Sequence, residues 1–341
     1  MQANDHIASA IHYLRRSEVD ITRWDDCVAK SSSPLIYGYS YYLDGMTGGQ
    51  WDGLVWEDYR AVMPLTWRSK AGVRYCFQPA FTQQTGIFCR RASGLAGPAT
   101  SSAERAPAGP ATSSAEPAPA GPARVDPLLV EAFLRRLDRH FRFAEICLNY
   151  ANALPSLGRR VNYTLPLDRS YPQLAAAYKK DLARNLKAAD RSTPQYVNDF
   201  DLHTALADFR EQYASRLPAI TSGDYRRFQG LCERLRTQGQ LVTRAVLDSR
   251  GHELCSAIFL KDATRFYLLH STTLPAGRDT EANHFLIDSF IREWANSPMV
   301  LDFEGSDHPG IAHFYANFGA TDQPYFIYRC NRLPWPLRWL K

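Results

Sequence analysis

What most constrains this chain is a series of periodicities that occurs twice in the same order. In the second half, "SGDYRRFQGLCERLRTQG" places Phe228, Leu231, Cys232 and Leu235 at helical spacing, and "QLVTRAVLD", "HELCSAIFL" and "TRFYLLHS" read as three strands parted by turn signals. A helix follows in "RDTEANHFLIDSFIREWANS", with Ile287, Phe290, Ile291 and Trp294 on one face and Asp279 or Thr280 as its cap. Then come a short strand "MVLDF", a helix over 309–318 closed by Gly319, and a last strand "PYFIYRC". In the first half, "ITRWDDCVAKS" and "YSYYLDGM" read as helices and "GLVWED", "YRAVMPLTW" and "VRYCFQPAF" as strands. They lead to the helix "VDPLLVEAFLRRLDRHF", with Val130, Phe133, Leu134 and Leu137 inward, and the strand "FAEICLN". Helix, three antiparallel strands, helix and strand, twice over, imply a duplicated α/β unit.

The length allows it: 341 residues suffice for about two domains. The expected division is 1–168, a basic connecting helix at 169–195, and 196–341. That helix, within "YPQLAAAYKKDLARNLKAADRS", sets Leu174, Tyr178, Leu182, Leu186 and Ala189 against a face of lysines and arginines. The compositional break is a Pro/Ala/Gly/Ser tract at 92–124, in which "AGPATSSAE" occurs twice. Such a tract buries too little surface to repay ordering, so it reads as a disordered insert, a loop expanded by tandem duplication.

A net charge of +5 is too slight to demand a nucleic-acid partner, and DNA is not expected as one. Seven cysteines, odd in number and without a CxxC pair, sit mostly in apolar runs and read as reduced core residues of a cytoplasmic protein. The N-terminal stretch lacks the apolar core of a signal peptide, and no run approaches the ~18 apolar residues of a membrane span. No histidine pair has metal-site spacing with a carboxylate partner, so no metal is expected.

The element order resembles the GCN5-related N-acetyltransferase (GNAT) fold, and its doubling resembles the FemAB-type branch. Three stretches carry the resemblance. "GIAHFYANFGA" is similar to the closing helix of acetyltransferases, with Ala312, Tyr315 and Gly319 at the recurring positions; "LDFEGS" resembles the FemAB-type turn out of the fifth strand; "KKDLARNLKAA" is similar to the helix set between the two domains. The resemblance implies an α/β fold of mixed sheets, two tandem GNAT-like domains with mainly antiparallel strands flanked by helices. It implies an N-acyltransferase moving an acetyl, other acyl or aminoacyl group to a small-molecule or peptide amine. A FemAB-like aminoacyl-tRNA-dependent peptidyltransferase on a cell-wall precursor, or a catalytically silent binding protein, are the alternatives. The pyrophosphate-binding loop of standard acetyltransferases is replaced by "TTLPAGRDTEANHF", with one glycine, Gly277, and with Asp279 and Glu281 placed to repel a phosphate. FemAB-type enzymes also lack that loop and use aminoacyl-tRNA. No tightly bound cofactor is expected; acetyl-CoA, acyl-CoA or aminoacyl-tRNA is the co-substrate implied, with tRNA a partner in the last case.

Amide formation needs a base for the ammonium proton, donors for the oxyanion and an acid for the leaving group. The resemblance sets the donor where the fourth and fifth strands of the second copy diverge, "FYLLHS" and "VLDFEG". That makes Glu304 the expected base, with Asp302 and His270 beside it and Tyr315 as acid, and Ser271, Arg278 and Asn283 as donor-binding residues. Strand alternation sets Asp302 and Glu304 on one face. The other reading is that both carboxylates cap the next helix and pair with arginines, and that Tyr315 belongs to an apolar helix face with Ile311, Phe314 and Phe318. On the acceptor side, Gln78, Gln83 and Gln84 either line a pocket or satisfy loop backbone, and Lys180 and Arg184 either meet a phosphate or are simply solvated.

Overall fold

The computed structural model describes residues 7–70, 72–91, 124–305, 307–335 and 338. The Pro/Ala/Gly/Ser tract therefore lies outside the described residues but for Arg124, as do Trp339 and Lys341 of the C-terminal tail.

Two sheets carry the fold. Strands β1 (Ile11–Arg15), β2 (Trp51–Trp56), β3 (Ala61–Lys70), β4 (Val73–Phe77), β5 (Phe88–Cys89), β6 (Phe143–Leu148), β7 (Gly158–Arg160) and β8 (Tyr163–Pro166) fall in the first half of the chain. Strands β9 (Gln195–Asn198), β10 (Leu241–Leu247), β11 (Glu253–Lys261), β12 (Arg265–Thr273), β13 (Val300–Asp302), β14 (Thr321–Asp322) and β15 (Tyr325–Asn331) fall in the second. The first sheet runs β1-β2-β3-β4-β6-β15-β7 with β5 alongside β3, and the second β14-β8-β13-β12-β11-β10-β9. Each is antiparallel except for one parallel pair, β4 with β6 and β12 with β13. The helices α1 (Ile21–Ala29), α2 (Ser40–Thr47), α3 (Pro127–His140), α4 (Tyr171–Ala175), α5 (Lys180–Asp190), α6 (Leu202–Tyr213), α7 (Ser222–Thr237), α8 (Pro275–Asp279), α9 (Ala282–Trp294) and α10 (Pro309–Ala316) flank them.

Local chemistry explains the helices. Asp126 caps α3 by accepting from the Leu128 N–H at 2.9 Å, Pro127 presets its first turn, and Val130, Phe133, Leu134 and Leu137 are buried on the sheet. Helix α9 buries Leu286, Ile287, Phe290 and Ile291, and Phe290 stacks on Phe259 at 3.9 Å. Its start corrects the expected cap: Glu281, at φ 56°, precedes the helix in place of Asp279 or Thr280.

The last strand departs from expectation. By its place in the element order "PYFIYRC" should close the second unit, but β15 pairs with β6 of the first sheet, and β8 leaves the first half to pair with β13 of the second. A division at 168 and 196 thus leaves β8 with the first unit and β15 with the second, each apart from the sheet in which it pairs. Each crossing strand covers an edge of β6 or β13 that would otherwise present unpaired N–H and C=O groups. A third hydrophobic cluster belongs to both halves: Trp24, Tyr37, Tyr42 and Trp51 pack with Phe228, Leu231 and Tyr267.

Among the described residues all seven cysteines are free thiols, no group of three or more His, Cys, Asp or Glu is placed to hold a metal, and no helix is long and apolar enough to cross a membrane.

Candidate active site

Strands β12 and β13 pair only from Arg265↔Val300 to Tyr267↔Asp302. Beyond that point β12 continues to Thr273 while the chain turns away after Asp302, so the sheet opens. The backbone N–H and C=O groups on that side of β12 lose their strand partner and point into the gap. A cleft of about 990 Å³ fills it. Leu268, Leu269, Ser271 and Thr273 of β12 line one side, Ile311, Phe314 and Tyr315 of α10 another, and Phe209 and Tyr213 of α6 a third. The register shifts in β12: Ile258 faces His270 and Phe259 faces Leu268, leaving Leu269 as a bulge without a cross-strand partner.

Glu304 lines this cleft from the turn after β13. Its backbone is left-handed, φ 59°, followed by Gly305 at φ 39°, so strand alternation does not extend to it and it does not share a face with Asp302 as expected. The glycine is required. A Cβ at Gly305 would lie 2.2 Å from the Val161 carbonyl oxygen and 2.6 Å from Asn162 Cα. Gly305→Ala is expected to cost about 1–3 kcal/mol from backbone strain alone, with the clash in addition, measured as the shift of the urea unfolding midpoint.

Burial, and after it the charge of Asp302, raises the Glu304 carboxyl well above the ordinary value of 4.5; the Tyr37 hydroxyl and Arg265 act the other way. Tyr37 comes from the 3-10 turn Ile36–Gly38 of the first half and is fully buried. Within hydrogen-bonding distance and angle, neither its hydroxyl nor Glu304 Oε1 meets a partner among the described residues. A carboxyl kept short of partners in a cleft wall holds its proton tightly and becomes a strong base once it is lost.

Asp302 is committed elsewhere. Its Oδ1 accepts from Asn162 Nδ2 at 3.0 Å and from the Glu304 N–H at 2.9 Å, and its Oδ2 accepts from Arg265 Nη1. Both members of this pair are buried, and Asp302 does not line the cleft; it anchors the Glu304 turn. His270 does not line the cleft: the bulge at Leu269 interrupts alternation and turns the imidazole to the α6–α7 side of β12, the side on which Leu269 also packs. There it packs at 4.0–4.8 Å among Phe209, Phe228 and Phe81. Burial lowers its pKa to about 3, so it stays neutral and makes a poor base. Tyr315 does line the cleft, its ring 4.7 Å from Phe303. Burial, then the Glu304 and Asp302 charges, raise its hydroxyl pKa.

Of the expected donor-binding residues, Ser271 and Asn283 both line the cleft and bond to each other, Ser271 Oγ donating to Asn283 Oδ1 at 2.8 Å. Arg278 does not; it is exposed on α8 and donates to Gln212 at 3.2 Å. Gly277 serves packing, since a Cβ there would meet the Leu254 carbonyl oxygen at 2.0 Å. The three glutamines brace the loop after β4. Gln78 donates to the Thr82 carbonyl and accepts from the Cys147 N–H; Gln84 accepts from the Tyr150 N–H and donates to Gln83, which donates to Asn162. None lines the cleft. Lys180 and Arg184 are on the exposed face of α5, where Arg184 pairs with Asp181 at 3.3 Å.

Tyr37 and the wall formed by α6 lie outside the sequence-based site. "DLHTALADFREQY" has a legible signal, Leu202, Ala205, Leu206 and Phe209 at helical spacing after Asp201, whose carboxylate caps the helix. Tyr37 has none.

No family model and no curated protein matches the sequence. Among solved structures the chain is similar to the crystal structure of FemX, at 11% identity over 96% of this chain and 99% of that one, TM-score 0.59. It is also similar to a conserved protein of unknown function from Bacteroides thetaiotaomicron, at 10% identity over 91% and 97% of the two chains, TM-score 0.51. A GCN5-related N-acetyltransferase from Sphaerobacter thermophilus aligns at 11% identity over 95% and 96%, TM-score 0.45. At such identities the likeness is one of fold alone, and the FemX structure carries it, in line with the FemAB-type order of elements.

Proposed function

We propose that this protein is an N-acyltransferase whose acyl donor occupies the gap between β12 and β13 and whose general base is Glu304. The observation that carries the reading is Glu304 itself, a carboxyl with a raised pKa and, among the described residues, an unpartnered oxygen, set where the second sheet opens between β12 and β13. Ionised Glu304 takes the proton of the incoming ammonium. The amine nitrogen attacks the acyl carbonyl, and the oxyanion meets backbone N–H groups on the free side of β12 around the Leu269 bulge. As the C–N bond forms and the donor's C–S or C–O bond breaks, the Tyr315 hydroxyl, which its surroundings keep protonated, supplies a proton to the leaving group, and the attacking nitrogen gives up its second proton to restore the Tyr315 phenol. The neighbouring Phe303 ring fixes the phenol's orientation.

The direct test is amide formation. Acyl thioesters and aminoacyl-tRNA are each offered with a panel of primary amines, and products are read by mass spectrometry; no amide from either donor class removes the reading. The base also fixes the pH profile. Glu304 must be ionised to act, so kcat/KM rises with pH through a pKa well above 4.5. Because the Tyr37 hydroxyl favours the charged form of Glu304, Tyr37→Phe is expected to move this acid limb to higher pH with the plateau rate nearly retained. An unmoved limb would detach Tyr37 from the base.

A further inference from the structure

Acyl transfer at Glu304 leaves the acyl group open, and the cleft's own chemistry narrows it; the identity of that group rests on the acyl-transfer reading. The walls are mainly hydrocarbon: Phe209, Leu217, Leu268, Leu269, Phe303 and Phe314. Ile311, on the first turn of α10, lines the same cleft while 42% exposed, one of three large apolar side chains left so open among the described residues. An apolar side chain held in water at a cleft mouth costs solvation free energy that an apolar ligand recovers.

Charge narrows the class further. Among the described residues Arg216 is the single Lys or Arg that lines the cleft; its guanidinium lies 5.7 Å from the centre of the Tyr213 ring. One cation does not balance a donor that brings several phosphates into the gap. An aminoacyl group brings an ammonium that needs a carboxylate, and the one carboxylate lining the cleft among the described residues is Glu304, the proposed base. The Ser271 hydroxyl proton is already spent on Asn283 Oδ1. The space is also far larger than an acetyl group fills, and lies at the upper end of apolar small-molecule pockets. We infer that the acyl group this cleft takes is an extended apolar chain, a fatty acyl group whose activated carbonyl lies at Glu304 and whose tail runs between β12, α6 and α10.

The test is binding, so that its outcome is independent of turnover. S-acyl N-acetylcysteamines carry an acyl thioester without phosphate or nucleotide, and their affinities for the full chain are measured by calorimetry from butanoyl to decanoyl. Burial of each added CH2 tightens binding roughly three- to fourfold, on the order of a thousandfold over the series. Ile311→Asp, tolerated at a helix start where an acidic side chain is favoured, is expected to weaken decanoyl binding about five- to thirtyfold through its lost apolar contact surface and to leave butanoyl unchanged. Trp335→Asp, at a still more exposed site outside the cleft, should change neither. Equal affinity across the series, or a chain-length dependence that survives Ile311→Asp, overturns the inference. Amide formation from acetyl donors with a flat binding series leaves acyl transfer standing and removes the fatty chain. A steep series lost in Ile311→Asp, with no amide from any donor, does the reverse.

Discussion

Glu304→Gln is expected to lower kcat/KM for amide formation by about 10²–10⁴-fold, the usual worth of a positioned general base, with the circular dichroism spectrum unchanged. The same substitution should stabilise the protein at neutral and alkaline pH. The sign follows from proton binding: Glu304's pKa is raised in the folded chain, so above about 4.5 the folded state holds more protons than the unfolded state, and stability falls as pH rises through the folded-state pKa. Glutamine has no proton to lose, so the variant's advantage is absent near pH 4 and grows above it, read from urea unfolding midpoints at several pH values. Activity lost together with stability gained would mark a residue kept for chemistry. Unchanged turnover would remove Glu304 from the mechanism, and a uniform loss of stability would recast it as structural.

Asp302→Ala carries the largest expected loss of stability, about 3–5 kcal/mol, because it leaves Arg265 buried and charged without its counter-ion. Arg265 Nη1 has a second acceptor, Gln323 Oε1 at 3.1 Å, and its guanidinium lies 5.5 Å from the centre of the Tyr150 ring. Neither neutralises it. The substitution also removes the carboxylate that accepts the Glu304 N–H, so the turn at the cleft loosens. Arg265→Met/Asp302→Leu should recover most of the stability, since an apolar pair needs no counter-ion, while activity stays low because Glu304 has lost its anchor. A single variant of near wild-type stability would show that water reaches the pair.

The element order is legible in the sequence because helical and strand periodicity are local. Asp126 and Pro127 announce α3, and alternation identifies β10 to β12. The resemblance assigns Glu304, Tyr315, Ser271 and Asn283 to one cleft, and the fold does bring all four to its lining. What escapes is non-local or hangs on one residue. The face taken by His270 depends on where β12 bulges, since a shift of one residue reverses every side chain beyond it. Asp302 looks catalytic until Arg265, far off in sequence, is found against it. The glutamines after β4 carry no local sign that their partners are the backbone of Cys147 and Tyr150. The sheet that receives β15 is fixed by which edge stands open, and "PYFIYRC" alone does not encode it.

That exchange of strands bears on how the protein is made. A nascent chain leaves the ribosome N-terminus first, and a compact first unit ordinarily folds before the second exists. Here the β6 edge waits for β15, which pairs Phe326 with Leu148 and Asn331 with Phe143, so the first sheet closes only when β15 has emerged. Until then the N–H and C=O groups on that edge of β6 have no strand to pair with.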